Sequence, residues 1–189
     1  MGNDYFSKNL SLWSQSGFTN RQKMFFFKFY NNTLGINVRT AHLVPQGTRL
    51  CFFCSKKRPN ERQEETFIHL FYQCRTVHDW HVNFINKFLP ELPNLDNYNS
   101  RSLWLLGYYD NLLYNSFFSA AILTFQFCIW ECKLKKLIPS FHTLQCQFLE
   151  HFSQSFKHNS DFRKASLKIN YNLCRILLGD RRVDQDGDE

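Results

Sequence analysis

Residues 51–74 read "CFFCSKKRPNERQEETFIHLFYQC", and the spacing of the cysteines and the histidine decides how the surrounding chain folds. The pattern is Cys51-x2-Cys54-x14-His69-x4-Cys74. Zinc takes four soft or borderline ligands in a tetrahedron, and three thiolates with one imidazole supply them. Cysteines separated by two residues sit on a tight turn that points both sulfurs at one ion. The second pair must come from another element. Five α-helical positions rotate a side chain by about 140° from its starting direction, so His69 and Cys74 cannot share a face of one continuous α-helix. The helix carrying His69 is therefore expected to end by about Tyr72, with Cys74 on the turn that follows. Phe67, Leu70 and Phe71 then pack on the core while His69 faces the ion. With every ligand position filled by protein, the Zn2+ is structural and contributes folding free energy to a region with little core of its own. His42, His78 and His81 compete as fourth ligands. His78 and His81 are expected on the polar, solvated side of the following helix.

The composition narrows what such a chain can be. Its 189 residues suffice for one domain or two small ones with a buried core. The 21 phenylalanines are too many for a chain this short to enclose, so some are expected near the surface or at an interface. The net charge of +7 favours polyanionic partners. Asp180–Glu189 holds five acids and two arginines, which leaves about +10 on the residues before it. That end, residues 179–189, reads as a disordered acidic tail. The opening residues show no apolar signal region, so the protein is expected to be nuclear or cytoplasmic and not secreted. Phe117–Trp130 is the most apolar run, yet it is shorter than the ~20 residues of a membrane span, and it reads as a buried helix. Seven cysteines in a reducing compartment point to metal before disulfides.

The expected fold is mostly α: a small zinc-stapled CCHC segment flanked by helices, then an α-helical C-terminal region. Residues 1–18 form a flexible N-terminus, 19–90 the helical lead-in and metal segment, and 100–178 the second helical region. In "TNRQKMFFFKFYNNTLG", Thr19 or Asn20 caps a helix, Met24, Phe27 and Leu34 fall near one face of it, and Gly35 ends it. A strand through "MFFFKFY" is the alternative. "NVRTAHLV" is a short helical turn. From Thr76 a helix runs with Val77, Trp80, Phe84 and Phe88 at helical spacing, and Thr76 and Asp79 stand three apart as in a capping box. Pro90 and Pro93 stop it, and Glu91–Ser100 is a loop. Further helices are expected at Ser102–Tyr109, Ser116–Leu137, Pro139–Phe156 and Ser160–Leu178. Cys128, Cys132, Cys146 and Cys174 read as core packing residues.

"CFFCSKKRPNERQEETFIHLFYQCRTVHDWH" resembles the zinc-binding segment near the C-terminus of reverse transcriptases from non-LTR (LINE-type) retrotransposons. The positions that match are Cys51, Cys54, Glu65, Thr66, His69, Leu70, Phe71, Cys74 and Trp80. "FFFKFYNNTLGINVRTAHLVP" is similar to that family's helical lead-in, so the likeness covers roughly residues 20–90. It implies an element that grips template RNA or target DNA, with a reverse transcriptase domain as a further partner. The family's paired catalytic aspartates have no counterpart, since "GYYDN" offers only Asp110. The chain is accordingly expected to be a C-terminal fragment of such a protein or a short reading frame derived from one, and not an enzyme. Some of these elements carry a restriction-like endonuclease, whose Mg2+-binding acids and lysine would correspond to Asp110, Glu131 and Lys133. That trio is the least favoured reading.

Five basic residues, Arg49, Lys56, Lys57, Arg58 and Arg62, lie on the segment that zinc would hold, and Phe52 or Phe53 can stack on an unpaired base. The "KLKK" run at Lys133–Lys136 and "RKASLK" at Arg163–Lys168 add positive helix surface. Two functions follow as expectations. The first is a non-catalytic zinc module that binds RNA or DNA. The second is a zinc-stiffened module whose aromatic helices dock on another protein.

Overall fold

The computed structural model describes residues 17–43, 47–89 and 116–158. Residues 1–16, the 91–100 loop, the helices expected at 102–109 and 160–178, the acidic tail, Asp110, Arg163–Lys168 and Cys174 lie outside them. The last two residues of the expected flexible N-terminus are described and packed, Phe18 edge-on to Phe26 and the Gly17 carbonyl accepting from Ser155 Oγ at 3.0 Å. Among the described residues the chain is helical. The elements are α1 (Asn20–Tyr30), α2 (Asn37–Thr40), α3 (Phe52–Lys57), a π turn (His69–Gln73), α4 (Arg75–Phe88), α5 (Ser116–Leu134) and α6 (Phe141–His158). Short 3-10 turns at Ala41–Leu43 and Pro59–Glu61 complete the set. The only pairing of extended chain among the described residues is an isolated antiparallel bridge between Leu50 and Glu64.

Helix α1 begins with a capping box: Gln22 N–H donates to Thr19 Oγ1 at 3.2 Å, and Thr19 N–H donates to Gln22 Oε1 at 2.8 Å. Its end differs from expectation. Asn32, in the left-handed region at φ 51°, terminates the helix, and Gly35 lies beyond. Thr33 N–H bonds the Lys28 carbonyl and Asn32 N–H the Phe29 carbonyl, the paired bonds of a Schellman motif. The face that carries Met24 and Phe27 is not the buried one. Phe25, Phe26 and Phe29 point inward, whereas Met24 and Phe27 are about half exposed, at 54% and 50%. Helix α5 ends in the same motif, with Leu137 N–H bonded to the Cys132 carbonyl, Lys136 N–H to the Lys133 carbonyl, and Lys136 at φ 52°. Helix α4 starts one residue before the expected box. Cys74 occupies its N-cap position, and Thr76 is buried within the first turn.

Every side chain from Ser119 to Lys133 is buried, so α5 is a central helix with apolar groups all round it. No described helix is long and apolar enough to cross a membrane. Phe125 of α5 stacks on Phe84 of α4 with centroids 4.2 Å apart, and Phe148 of α6 meets Phe84 edge-on at 4.8 Å. On the other side Phe25 of α1 reaches Phe127 at 5.5 Å and Trp130 at 6.4 Å. Phe29 meets Phe71 of the π turn at 4.9 Å. One continuous core thus joins residues 18–89 to residues 120–156. It encloses most of the described phenylalanines, more than the length of the chain suggests.

Three polar groups on α5 are answered inside that core. Thr124 Oγ1 donates to the Ala120 carbonyl at 2.7 Å. Gln126 bridges the His81 ring at 3.4 Å and the Phe71 carbonyl at 3.5 Å. Glu131 takes Arg21 at 3.1 Å, His151 at 3.5 Å and Lys135 at 3.7 Å. His81 therefore faces the core and not solvent, because α4 turns that side toward α5.

Burial lowers the His81 pKa from its usual 6.5 to about 3. A histidine held neutral contributes stability that is fully present above the unfolded pKa near 6.5 and is lost as pH falls toward the folded value. Chemical denaturation between pH 7 and 5 should show His81→Gln losing up to about 1.4 kcal/mol per pH unit less than the wild type; equal slopes would refute the neutral burial. Replacing Lys136 by glycine relieves a left-handed strain of about 1 kcal/mol and should raise the denaturation midpoint.

Candidate metal centre

The ligand segment is assembled from its backbone outward. Cys51 N–H bonds the Gln63 carbonyl at 2.8 Å, and Glu65 N–H bonds the Arg49 carbonyl at 2.8 Å, which closes the basic segment into a hairpin-like loop. Cys51 ends the extended arm and stands at the N-cap of α3, so Cys54 falls in that helix's first turn. The basic segment is thus not a plain loop. It is α3 followed by the Pro59–Glu61 turn.

His69 and Cys74 meet the five-residue constraint in a specific way. The helix does not simply stop. It widens into a π turn in which Cys74 N–H bonds the His69 carbonyl at 2.7 Å, the i→i+5 pattern. That ring adds one residue to the turn and brings positions 69 and 74 back to one side. Cys74 then leaves the turn in extended conformation and opens α4. Leu70 and Phe71 face the core as expected, and Phe67 packs at its edge.

Four ligand atoms converge. Cys51, Cys54, His69 and Cys74 are all buried, and their sulfur and ring-nitrogen atoms lie within 4.8 Å of one another. Cys54 Sγ is 3.3 Å from His69 Nε2 and 3.4 Å from Cys74 Sγ, and Cys51 Sγ is 3.9 Å from Cys74 Sγ. The Cys54 amide beside Cys51 and the Val77 amide beside Cys74 favour the thiolate forms of those two sulfurs. Such contacts orient thiolate ligands. His69 Nδ1 is buried and has no hydrogen-bond partner among the described residues, so Nε2 is the nitrogen turned to the cluster.

Electrostatics show why this group of side chains suits a cation. The hydrogen bond from Cys74 lowers the Cys51 thiol to about 4. Burial pushes Cys54 up to about 11, and the bond to Cys51, with burial, holds Cys74 well above its ordinary range. Three buried sulfurs cannot all be anions without a cation among them, so Cys54 and Cys74 hold their protons beside the Cys51 thiolate. A divalent ion supplies the missing charge and displaces the remaining protons. The donor set therefore fits a metal ion.

The other predicted site residues are placed less uniformly. Lys56, Lys57 and Arg62 are exposed, with Lys57 Nζ 5.8 Å from the Trp80 ring. Arg49 pairs with Glu64 at 2.9 Å, and Arg58 lies between Asp79 at 3.3 Å and Glu61 at 3.8 Å. Phe52 is half-buried. Phe53 is fully buried, edge-on to Trp80 at 5.1 Å, so its ring is not available to stack on a base. His42 and His78 are exposed and stand outside the ligand cluster.

Glu131 and Lys133 do not share a site. Glu131 is ringed by Arg21, Lys135 and His151, while Lys133 pairs with Glu65 at 2.8 Å. Buried Lys133 also adds nothing to the positive helix surface expected from "KLKK". Cys128 and Cys132 are buried in the core as expected; Cys146 is exposed, with His142 Nε2 3.7 Å away.

No protein-family model, curated protein or solved structure matches this chain.

Elemental analysis of the purified chain should find about one equivalent of divalent metal, falling below a tenth in Cys54→Ser and His69→Ala. Because the Cys54 thiol at about 11 is protonated near neutrality, loading must release protons, and affinity should fall as pH drops. Calorimetric titrations in buffers of different protonation enthalpy measure that release; heats independent of buffer would contradict it.

Proposed function

We propose that this chain is a zinc-stapled, mostly helical module that binds RNA or DNA and does not itself catalyse a reaction. One observation carries the reading. The helix that begins at ligand Cys51 and holds ligand Cys54 also holds Lys56 and Lys57 on its exposed last turn. A metal that anchors α3 at its start fixes the direction in which those cations project. Arg62 extends the positive edge, and the exposed ion pairs of Arg49 and Arg58 are weak enough to be exchanged for phosphate.

Zinc is the metal the donor set favours. An ideal tetrahedron with Zn–S near 2.3 Å and Zn–N near 2.05 Å has S–S edges of about 3.8 Å and S–N edges of about 3.6 Å. Three of the six separations, 3.4 and 3.9 Å between sulfurs and 3.3 Å from sulfur to nitrogen, lie close to those lengths, and all six are within 4.8 Å. Three thiolates and one imidazole leave no position for water or substrate, so Zn2+ here is structural. The ion supplies cross-linking charge. Cys51, Cys54, His69 and Cys74 would hold it, and the Cys54 and Val77 amides would orient the sulfurs.

The resemblance of residues 51–81 to the zinc segment of LINE-type reverse transcriptases points the same way, toward an accessory grip on template RNA or target DNA in the nucleus or cytoplasm. With Phe53 buried, Phe52 is the aromatic left beside the cations. A second reading, docking on a protein such as a polymerase domain, draws on Met24 and Phe27, which stand about half exposed on the outer side of α1.

Changing Lys56, Lys57 and Arg62 together to glutamate should weaken binding of a single-stranded RNA or DNA oligonucleotide at least tenfold in 50 mM salt. It should also flatten the salt dependence, by about 0.7 in log–log slope for each phosphate that is no longer neutralised. Fluorescence anisotropy reads both. Unchanged affinity with an intact circular dichroism spectrum would remove α3 from the interface.

A further inference from the structure

Lys133, one member of the trio that matched a nuclease pattern, has a different place in the fold. Its side chain is 8% exposed, and its ammonium lies 2.8 Å from Oε1 of Glu65, whose side chain is 0% exposed. The same ammonium donates to the Gly35 carbonyl at 3.0 Å and lies 4.5 Å from the Trp130 ring centroid. Glu65 is a hub in turn. Its Oε1 accepts Asn37 N–H at 2.8 Å and its Oε2 accepts Phe52 N–H at 3.3 Å.

Those two amides open α2 and α3, and neither helix has a side-chain cap of its own. Ile36 has no polar atom to offer α2. Cys51, at the N-cap of α3, turns its sulfur to the ligand cluster. Glu65 therefore caps both helices from a distance, and a carboxylate at helix starts is favoured by the amide dipoles. Removed from water, it needs a buried cation, and Lys133 reaches it from the last turn of the central helix. One carboxylate thus joins the residue next to ligand Cys51 to the far half of the chain.

We infer that Glu65 and Lys133 are positioning residues for the metal centre, and that through them metal occupancy and the seating of α5 are coupled. This rests on the metal-binding reading above. Because coupling is reciprocal, loosening α5 at Lys133 must weaken metal binding, and metal must tighten the hold on α5. Neither side chain is one of the four donors. The pair acts by holding the start of α3, and so the Cys51–Cys54 spacing, against the central helix.

The test uses the full chain, Zn2+ itself, and the variants Glu65→Gln, Lys133→Met and the two combined. Zinc affinity is read by competition with a chromogenic chelator, Co2+ loading by its thiolate absorption bands, and stability by melting with and without metal. Lys133→Met should raise the zinc Kd at least tenfold, alter the Co2+ bands and shrink the rise in melting temperature that zinc confers. The combined variant, which leaves no lone buried charge, should melt above Lys133→Met and still bind zinc at least tenfold more weakly than wild type. Glu65→Gln keeps the side chain's size and one acceptor, so it reports on affinity even where Lys133→Met does not fold. A purely structural pair would lower the metal-free and metal-loaded melting temperatures equally. An unchanged zinc increment, with Kd within twofold of wild type in Glu65→Gln and in the combined variant, overturns this inference alone. A wild-type chain that binds no zinc overturns the metal reading with it.

Discussion

Three thiols and an imidazole, all removed from water, have to be brought together by a chain whose last two donors stand five residues apart. An α-helix cannot do this, and the molecule meets the constraint by widening one turn. The same turn that gathers His69 and Cys74 directs Leu70 and Phe71 into the core and sets the start of α4, since Cys74 is at once donor and N-cap. Widened turns cost helix regularity and persist where their surroundings hold them. Here the surroundings are Phe29 and Trp130 against Phe71, and the amides that approach the sulfurs.

Around that turn the fold is a set of helices laid on a helix that water does not reach. Helix α5 is apolar on every side, yet it carries Thr124, Gln126, Glu131 and Lys133, and the described structure finds partners for each. Two of these partnerships reach back to the ligand region: Gln126 to the Phe71 carbonyl of the π turn, and Lys133 to Glu65. Buried polar contacts of this kind specify one arrangement among many that aromatic packing alone would tolerate. A core so rich in phenylalanine needs that selection, because flat rings pack acceptably in several orientations.

Much of this was legible in the residues. The ligand spacing names the four donors that converge, the helix expected over 117–130 is buried from Ser119 onward, and of the two candidate caps, Thr19 and Asn20, Thr19 is the one used. The departures have local physical causes. In "MFFFKFY" apolar side chains occupy every face, so periodicity could not say that Phe25, Phe26 and Phe29 turn inward and Met24 and Phe27 outward. Gly35 is the expected helix terminator, but asparagine also tolerates the left-handed region, and Asn32 arrives first. His81 looked polar because histidine is polar; only the packing of α5 on α4 shows that its side of the helix is buried. Thr76 and Asp79 have capping-box spacing, yet the metal segment had already claimed Cys74 for the N-cap. Lys133 needed a partner 68 positions away, and no local pattern reveals a buried pair of that separation.

Because the aromatic floor beneath the ligand segment is built from both halves of the chain, the segment is not a graft that can be lifted out whole. An excised piece ending at Leu89 would lay bare the sides of Phe25, Phe84 and Phe88 that Phe127, Phe125 and Phe148 cover. It would also strand the Glu65 carboxylate without its counter-ion. Transplanting these cysteines into another scaffold would therefore carry the donors but leave behind what holds them in place.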